Sequence, residues 1–348
     1  MLFIEKNVVN LQSKDTFPDI LQNFWNKNNL DIKPPLDKAM YITNDRSQII
    51  AIAGYFRNIV KGIAIDPEYH GENLTGTLLT WALEEIKQNG YTTTLIYTKP
   101  ENIGIFSDFG FSVIESTNNV VLLERGKPDF RDYLRTLEKI KAQNNINKAS
   151  SIVVNCNPMT NGHLYLIEKA SSESEHLIVF VLEEDLSYFP FKFRFKIVKE
   201  AVSSLKNVIV LPSSCYLIST ATFPDYFLKG LPKEKVHSEL DIAIFGKHIA
   251  PSLNIIRRFV GSEPYCTVTS AYNESMAALL PRYGIEFTII ERKEHKGKAI
   301  SASQVRELIR IGKIDEIKEI VPPATFNFLI SDEAKDIIKS IQTSNKRH

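Results

Sequence analysis

The stretch "SIVVNCNPMTNGHLYLIEKA", Ser151 to Ala170, runs from β-branched residues through Pro158 and Gly162 into a segment of helical period. An apolar run closed by turn residues and followed by a helix reads as a strand, a loop and a helix in succession. In an open parallel sheet, ligands lie beyond the carboxyl ends of the strands. The run therefore carries Cys156 to His163, with Asn157 and Pro158 among them, onto the ligand-binding edge. The helix that starts near His163 is expected to offer unpaired amides to an anion. Thr160 and His163, three apart, can face the same way, and Gly162 lacks the side chain that would hold a nucleotide off the backbone. Alone, a Gly-His pair at a helix start is more often structural than catalytic.

Outward from this stretch, "LIVFVLEED" (177–185), "NVIVLP" (207–212), "DIAIFG" (241–246), "CTVTSA" (266–271) and "EFTIIER" (286–292) read as short strands separated by helix-length pieces. That alternation predicts a Rossmann-like, doubly wound parallel sheet. Toward the N-terminus, "QIIAIAGYF" (48–56), "IVKGIAIDP" (59–67), "YTTTLIYTK" (91–99) and "VVLLER" (120–125) read as strands. Between them, the segment from Leu74 places Leu78, Leu79, Ala82 and Ile86 on one helical side and closes at Gly90, while "NIGIFSDFGF" reads as a short helix closed by Gly110. A polar helical segment then decays into Asn, Lys and Ser. Three regions follow: an α/β domain over 1–126, a helical linker over 127–149 and a second α/β domain over 150–340. Two domains suit a chain of 348 residues.

With 42 basic and 41 acidic residues the formal charge is +1, which gives no broad electrostatic case for nucleic acid or an anionic membrane. Cys156, Cys215 and Cys266 form no CxxC pair, so neither a disulfide framework nor a zinc knuckle is expected. The N-terminus lacks a basic n-region and "LIVFVL" is too short to cross a bilayer, so a cytoplasmic protein is expected.

The tetrapeptide Thr160 to His163 resembles the T/HxGH signature of nucleotidylyltransferases. A second stretch, "ISASQVRELIR" from Ile300, resembles the ISxSxxR motif that closes the same nucleotide site. Its physics is coherent: Ser301 with Gln304 forms an S-x-x-Q capping pattern, so a helix starts there with its amides toward a phosphate, and Ser303 and Arg306 lie in its first turns. Weaker candidates lie between the two motifs. Asp185 and Arg194 can help enclose the substrate or the triphosphate. "FVGSEP" is similar to a Gly-x-Asp/Glu turn that approaches ribose or adenine, through Gly261 and Glu263. In the run "ERKEHKGKA", Lys293, Lys296 or Lys298 can close over phosphate. Cys156, at the end of a buried strand, reads as a small apolar filler rather than a nucleophile.

Taken together, "NCNPMTNGHLYLIEKA", "FPFKFRFKIVKEA", "LISTATFPDYFLK", "ELDIAIFGKHIAPSLNIIRRFVGSEPYC" and "ISASQVREL" resemble the [citrate (pro-3S)-lyase] ligase family over nearly the whole second half. Residues 1–126 look like the acetyltransferase-like (GNAT) domain with which that family begins. There the R/Q-x-x-G-x-G/A pattern of the pyrophosphate loop falls on His70, Asn73 and Thr75, so the small positions carry side chains. This departure predicts a carrier-docking or vestigial module rather than tight acetyl-CoA binding. The resemblance implies ATP and Mg²⁺ as cofactors and acetate as substrate. It further implies, as partner, the citrate lyase acyl carrier (gamma) subunit, whose phosphoribosyl-dephospho-CoA thiol becomes acetylated through an acetyl-adenylate, with AMP and pyrophosphate released. His163, Thr160 and Arg306 are the expected catalytic groups, with no metal ligands assigned. Competing readings are a nucleotidyltransferase acting on a pantetheine- or nicotinamide-type phosphate, an acetyl-CoA-dependent acetyltransferase, and a nucleotide sensor without enzymatic activity.

Overall fold

The computed structural model describes residues 4–12, 14–183, 187–217, 223–228, 230–263 and 267–343, so Asp185 and Cys266 lie outside the described residues. The chain forms two compact units, Met1–Tyr133 with Phe223–Leu240, and Leu134–Thr222 with Asp241–His348. The region read as one continuous second domain thus lends a stretch of chain to the first unit.

In the first unit, β1 (Glu5–Asn10), β2 (Lys38–Thr43), β3 (Ile49–Phe56) and β4 (Ile59–Ile65) form an antiparallel meander. Then come β5 (Thr93–Thr98), β6 (Ser112–Ser116) and β7 (Val121–Gly126), and the sheet order is β1-β2-β3-β4-β5-β7-β6. β3 is buried at every residue, which suits its unbroken apolar run. Helix α1 (Asp19–Lys27) and strands β1, β2 and β6 escaped the sequence reading, their polar residues breaking the apolar pattern. Helix α2 (Leu74–Gln88) buries Leu78, Leu79, Ala82 and Ile86, as its periodicity predicts. Gly90 (φ +86°) and, after α3 (Ile103–Asp108), Gly110 (φ +78°) take the left-handed conformation of helix ends. β4 and β5 run parallel and pair at Ile59↔Leu95 and Val60↔Ile96.

Helix α4 (Phe130–Gln143) leads to the second unit. Strands β8 (Ala149–Val154), β9 (His176–Val181), β10 (Val208–Pro212), β11 (Ile255–Gly261) and β12 (Glu286–Ile290) are all parallel, in the order β10-β9-β8-β11-β12. The chain winds outward from β8 on one side and returns to start at β11 on the other. The doubly wound sheet is therefore as expected, with its switch point between β8 and β11. Helices α5 (Asn161–Ser172) and α6 (Phe191–Ala201) supply Ile167, Ala170, Ile197 and Val198 to the core beside Phe259 of β11.

Two expected strands are helical. "DIAIFG" ends α7 (Lys233–Ile244) and enters a π-helical turn at Phe245–Ile249, which precedes the short α8 (Ala250–Ser252). In "CTVTSA", the described residues from Thr267 open α9, Thr267–Leu279. A short run buried all round, as 241–246 is, does not distinguish helix from strand by period. The converse miss is β11: Arg257 pairs with Glu286 on the neighbouring strand, and Arg258 is buried against the Phe245 ring, so "IIRRFVG" carries no apolar run. Gly246 admits Tyr283 so closely that an added Cβ would lie 2.5 Å from its ring. Gly246→Ala is expected to cost about 1–3 kcal/mol of stability by overpacking, read by urea denaturation, with part regained when Tyr283→Ala is added.

Candidate functional site

At the carboxyl edge of β8 the chain turns through Asn155 to Thr160, and three alternate carbonyls of that turn are each held by a side chain. Asn155 O accepts from Arg194 Nη1 at 2.9 Å, Asn157 O from Arg306 Nη1 at 2.6 Å, and Met159 O from Thr325 Oγ1 at 3.0 Å. Asn157 Oδ1 also accepts from Phe189 N at 3.1 Å, and the Asn157–Pro158 peptide is cis. Arg194, expected at the triphosphate, is fully buried on α6, where it also donates to Phe189 O and Leu182 O. It fastens the strand end and offers no open face to a ligand. Arg306, expected at phosphate, is 4% exposed and gives its second terminal nitrogen to Ser303 Oγ at 3.1 Å. Both arginines hold the loop in place.

Thr160 caps α5, its Oγ1 accepting from His163 N at 3.4 Å, while Thr160 N donates to His163 Nδ1 at 3.0 Å. A backbone amide can only donate, so Nδ1 must carry a lone pair and the ring proton sits on Nε2. Burial, and next the nearby Arg292 cation, push the His163 pKa down to about 4. His163 is consequently a neutral, oriented N–H donor at physiological pH. The expected bare helix end is only partly bare: Asn161 N donates to Ile320 O at 2.9 Å and His163 N is taken by its own cap.

The two motifs meet at Gly162. An added Cβ there would lie 3.2 Å from the carbonyl oxygen of Ile300, which is 4% exposed. The glycine eases the close approach of the second motif, beside the approach of a nucleotide that the sequence suggested. Ser301 caps α10 (Ala302–Arg310), accepting from Gln304 N at 3.2 Å, as the capping pattern predicts.

Gly261 ends β11 with open space around it, an added Cβ meeting only Leu166 at 4.0 Å. Glu263, expected near ribose, pairs through its carboxylate with Arg292. Among the lysines, Lys298 is exposed on β14 (Lys298–Ala299), which pairs with β13 (Glu294–His295). Lys296 is exposed and paired with Glu319 at 2.7 Å, and Lys293 Nζ lies 5.9 Å from the Tyr165 ring centroid. Arg292 itself, two residues past β12, was overlooked by a reading that scanned the basic run for lysines. Its position at the carboxyl end of the predicted strand "EFTIIER", on the ligand edge, is the signal that could have found it.

Cys156 is buried at φ +54°, and burial pushes its thiol up to about 12, which suits a filler and not a nucleophile. In the first unit, a cavity of about 460 Å³ opens where β4 and β5 part, lined by Ile63, Ile65, His70, Thr75, Tyr97 and Tyr226 among others. Gly62 N of β4 donates to Tyr226 Oη at 3.0 Å. Asn73 takes a left-handed conformation (φ +53°) before α2, where a loop with small residues was sought. Among the described residues no group of three or more His, Cys, Asp or Glu side chains is placed to hold a metal ion, and no helix is long and apolar enough to cross a membrane.

A doubly wound sheet whose switch point carries a Thr-x-Gly-His turn against an Ile-Ser-capped helix belongs to the nucleotidylyltransferase-like class of α/β domains. The family described as "Citrate lyase ligase C-terminal domain" matches residues 149–329. The [citrate [pro-3S]-lyase] ligase of Klebsiella pneumoniae is 35% identical over 337 residues, 95% of this chain and 97% of its own, and that of Escherichia coli (strain K12) is 35% identical over 316, 89% of each. A bifunctional NMN adenylyltransferase/ADP ribose pyrophosphatase structure from Francisella tularensis is 17% identical, covering 57% of this chain and 52% of that one, with a TM-score of 0.38. The chain belongs to the citrate lyase ligase family.

Two consequences of burial are measurable. At pH 8.5, iodoacetamide is expected to label exposed Cys215 in the native protein and to spare Cys156 until the chain is unfolded, as read by peptide mass spectrometry. Because native His163 takes its proton only near pH 4, against about 6.5 in an unfolded chain, the unfolded state binds more protons between those values. Stability should therefore fall as pH is lowered through that window, and His163→Gln should flatten this part of the profile in denaturation measurements.

Proposed function

We propose that this chain is an ATP-dependent acid–thiol ligase that acetylates the prosthetic-group thiol of the citrate lyase acyl carrier subunit and so activates citrate lyase. Support comes from the family, whose named members are citrate lyase ligases, and above all from the neutral Nε2–H donor of His163 at the switch point. In the first step an acetate oxygen attacks the α-phosphorus of ATP, the bond to the bridging oxygen breaks, and pyrophosphate departs from acetyl-adenylate. In the second, the carrier thiolate attacks the acetyl carbonyl and AMP leaves with the bonding electrons, the thiol proton passing to solvent. Neither step calls for a protein nucleophile, in keeping with the inert Cys156.

Each residue has a role of its own in this reading. His163 donates to a phosphate oxygen where charge grows in the transition state. Thr160 holds the ring through its amide, and the cap at Ser301 turns the start of α10 toward the same edge. Arg306 and Arg194 keep the loop in register. Mg²⁺, when bound, would supply charge neutralisation on the triphosphate. The first unit serves carrier docking rather than acetyl transfer, a role supported by its altered loop at His70, Asn73 and Thr75 and by Tyr226 on the β4 amide.

Acetate-dependent ATP–pyrophosphate exchange tests the site. His163→Ala is expected to lose about 10²- to 10³-fold in exchange rate, as removal of one transition-state donor does, while the protein stays folded by circular dichroism. Full exchange by that variant would sink the assignment. With labelled acetate and thiol-form carrier, free AMP and a labelled thioester are expected; a dinucleotide product would point instead to a nucleotidyltransferase.

A further inference from the structure

We infer that Arg292 supplies the open cation of the phosphate seat, and that Glu263 is a positioning residue that holds it there. This inference rests on the nucleotide-binding part of the function proposed above.

The ends of β11 and β12 are joined by a series of hydrogen bonds. Ser262 N donates to Ile290 O at 2.9 Å, which carries the parallel ladder one step beyond Gly261. Arg292 N then donates to Ser262 Oγ at 3.2 Å, and Ser262 Oγ in turn donates to Glu291 Oε2 at 2.9 Å. These bonds suffice to close the strand ends. The Arg292 side chain adds more: Nε donates to Ser262 O at 2.6 Å and Nη2 to the Glu263 carboxylate. Two donors fix the plane of the guanidinium, and among the described residues Nη1 is left without an acceptor. The side chain remains 27% exposed, with Glu263 at 10% beneath it. A guanidinium held by one edge and open on the other is preorganised for a phosphate oxygen, because little side-chain freedom is left to lose on binding.

Placement separates this arginine from Arg194, Arg306 and Lys296. Arg194 and Arg306 are buried and occupied by loop carbonyls, and Lys296 lies on the surface with Glu319. Arg292 stands on the ligand edge, near enough to His163 for its charge to disfavour protonation of the ring. An anion at His163 Nε2–H therefore falls within the field of Arg292. Glu263 partly offsets that positive charge, so its place beside Arg292 is better explained by geometry than by electrostatics.

Calorimetric binding of ATP, inorganic pyrophosphate and adenosine to the full chain tests this without acetate or carrier. Arg292→Gln is expected to weaken ATP and pyrophosphate at least tenfold and to leave adenosine within twofold, with Arg292→Lys regaining part of the loss. Glu263→Gln is expected to weaken pyrophosphate although it removes a negative charge, and Glu263→Gln with Arg292→Gln to be no worse than Arg292→Gln alone. Unchanged pyrophosphate affinity in Arg292→Gln, or an equal loss of adenosine, would overturn the role of Arg292; tighter pyrophosphate binding by Glu263→Gln would overturn the positioning role. A wild-type chain that binds ATP but forms no acetyl-adenylate would sink the proposed reaction and leave this inference standing. A wild-type chain that binds neither ATP nor pyrophosphate would overturn both.

Discussion

Three carbonyl oxygens in a six-residue turn, at Asn155, Asn157 and Met159, each accept a hydrogen bond from a side chain on a different helix. The donors come from α6, α10 and the helix Pro323–Leu329, so three helices lying 39, 149 and 166 residues along the chain from the carbonyls they serve must all be in place before the turn is satisfied. A buried carbonyl left without its partner costs roughly 1–3 kcal/mol. The turn thus depends on the whole of the second unit, and the orientation of His163 depends on the turn. Holding a donor at a fixed angle to a developing charge is what electrostatic catalysis requires. Here the fixing is done by side chains that the ligand need not touch.

The same arrangement explains why two motifs separated by most of a domain behave as one. The backbone at Ile300 passes close against Gly162, and Arg306 reaches across to the carbonyl of Asn157. Each motif contains a residue in direct contact with the other. The fixed residues of such signatures are commonly attributed to ligand contact, yet in this chain several of them are occupied with one another.

How much of this was legible differs from residue to residue. That the sheet is parallel and doubly wound followed from apolar runs separated by helix-length pieces, and the cap at Ser301 followed from local hydrogen-bonding chemistry. Signals that depend on a distant partner were not legible. β11 hides behind Arg257 and Arg258, whose charges are accommodated by Glu286 and the Phe245 ring. "DIAIFG" is apolar whether helical or extended, and only its packing decides. At the site, the sequence pointed to basic residues but not to which of them would be consumed by the protein: Arg194 and Arg306 serve carbonyls, whereas Arg292, unremarked beside three lysines, keeps an open side.

The residues Phe223–Leu240 belong to the first unit although they lie, in sequence, between β10 and β11 of the second. Through them Tyr226 takes the Gly62 amide of β4, Phe223 stacks edge-on against Tyr97, and Tyr226 O accepts from Asp31 N. A gene fragment ending at the polar linker would encode every strand of the first sheet and still leave an inner amide unpaired and one wall of its cavity missing. The chain is therefore not two modules joined end to end. Its halves are interleaved, and neither could be exchanged for a homologous part by recombination at a single point.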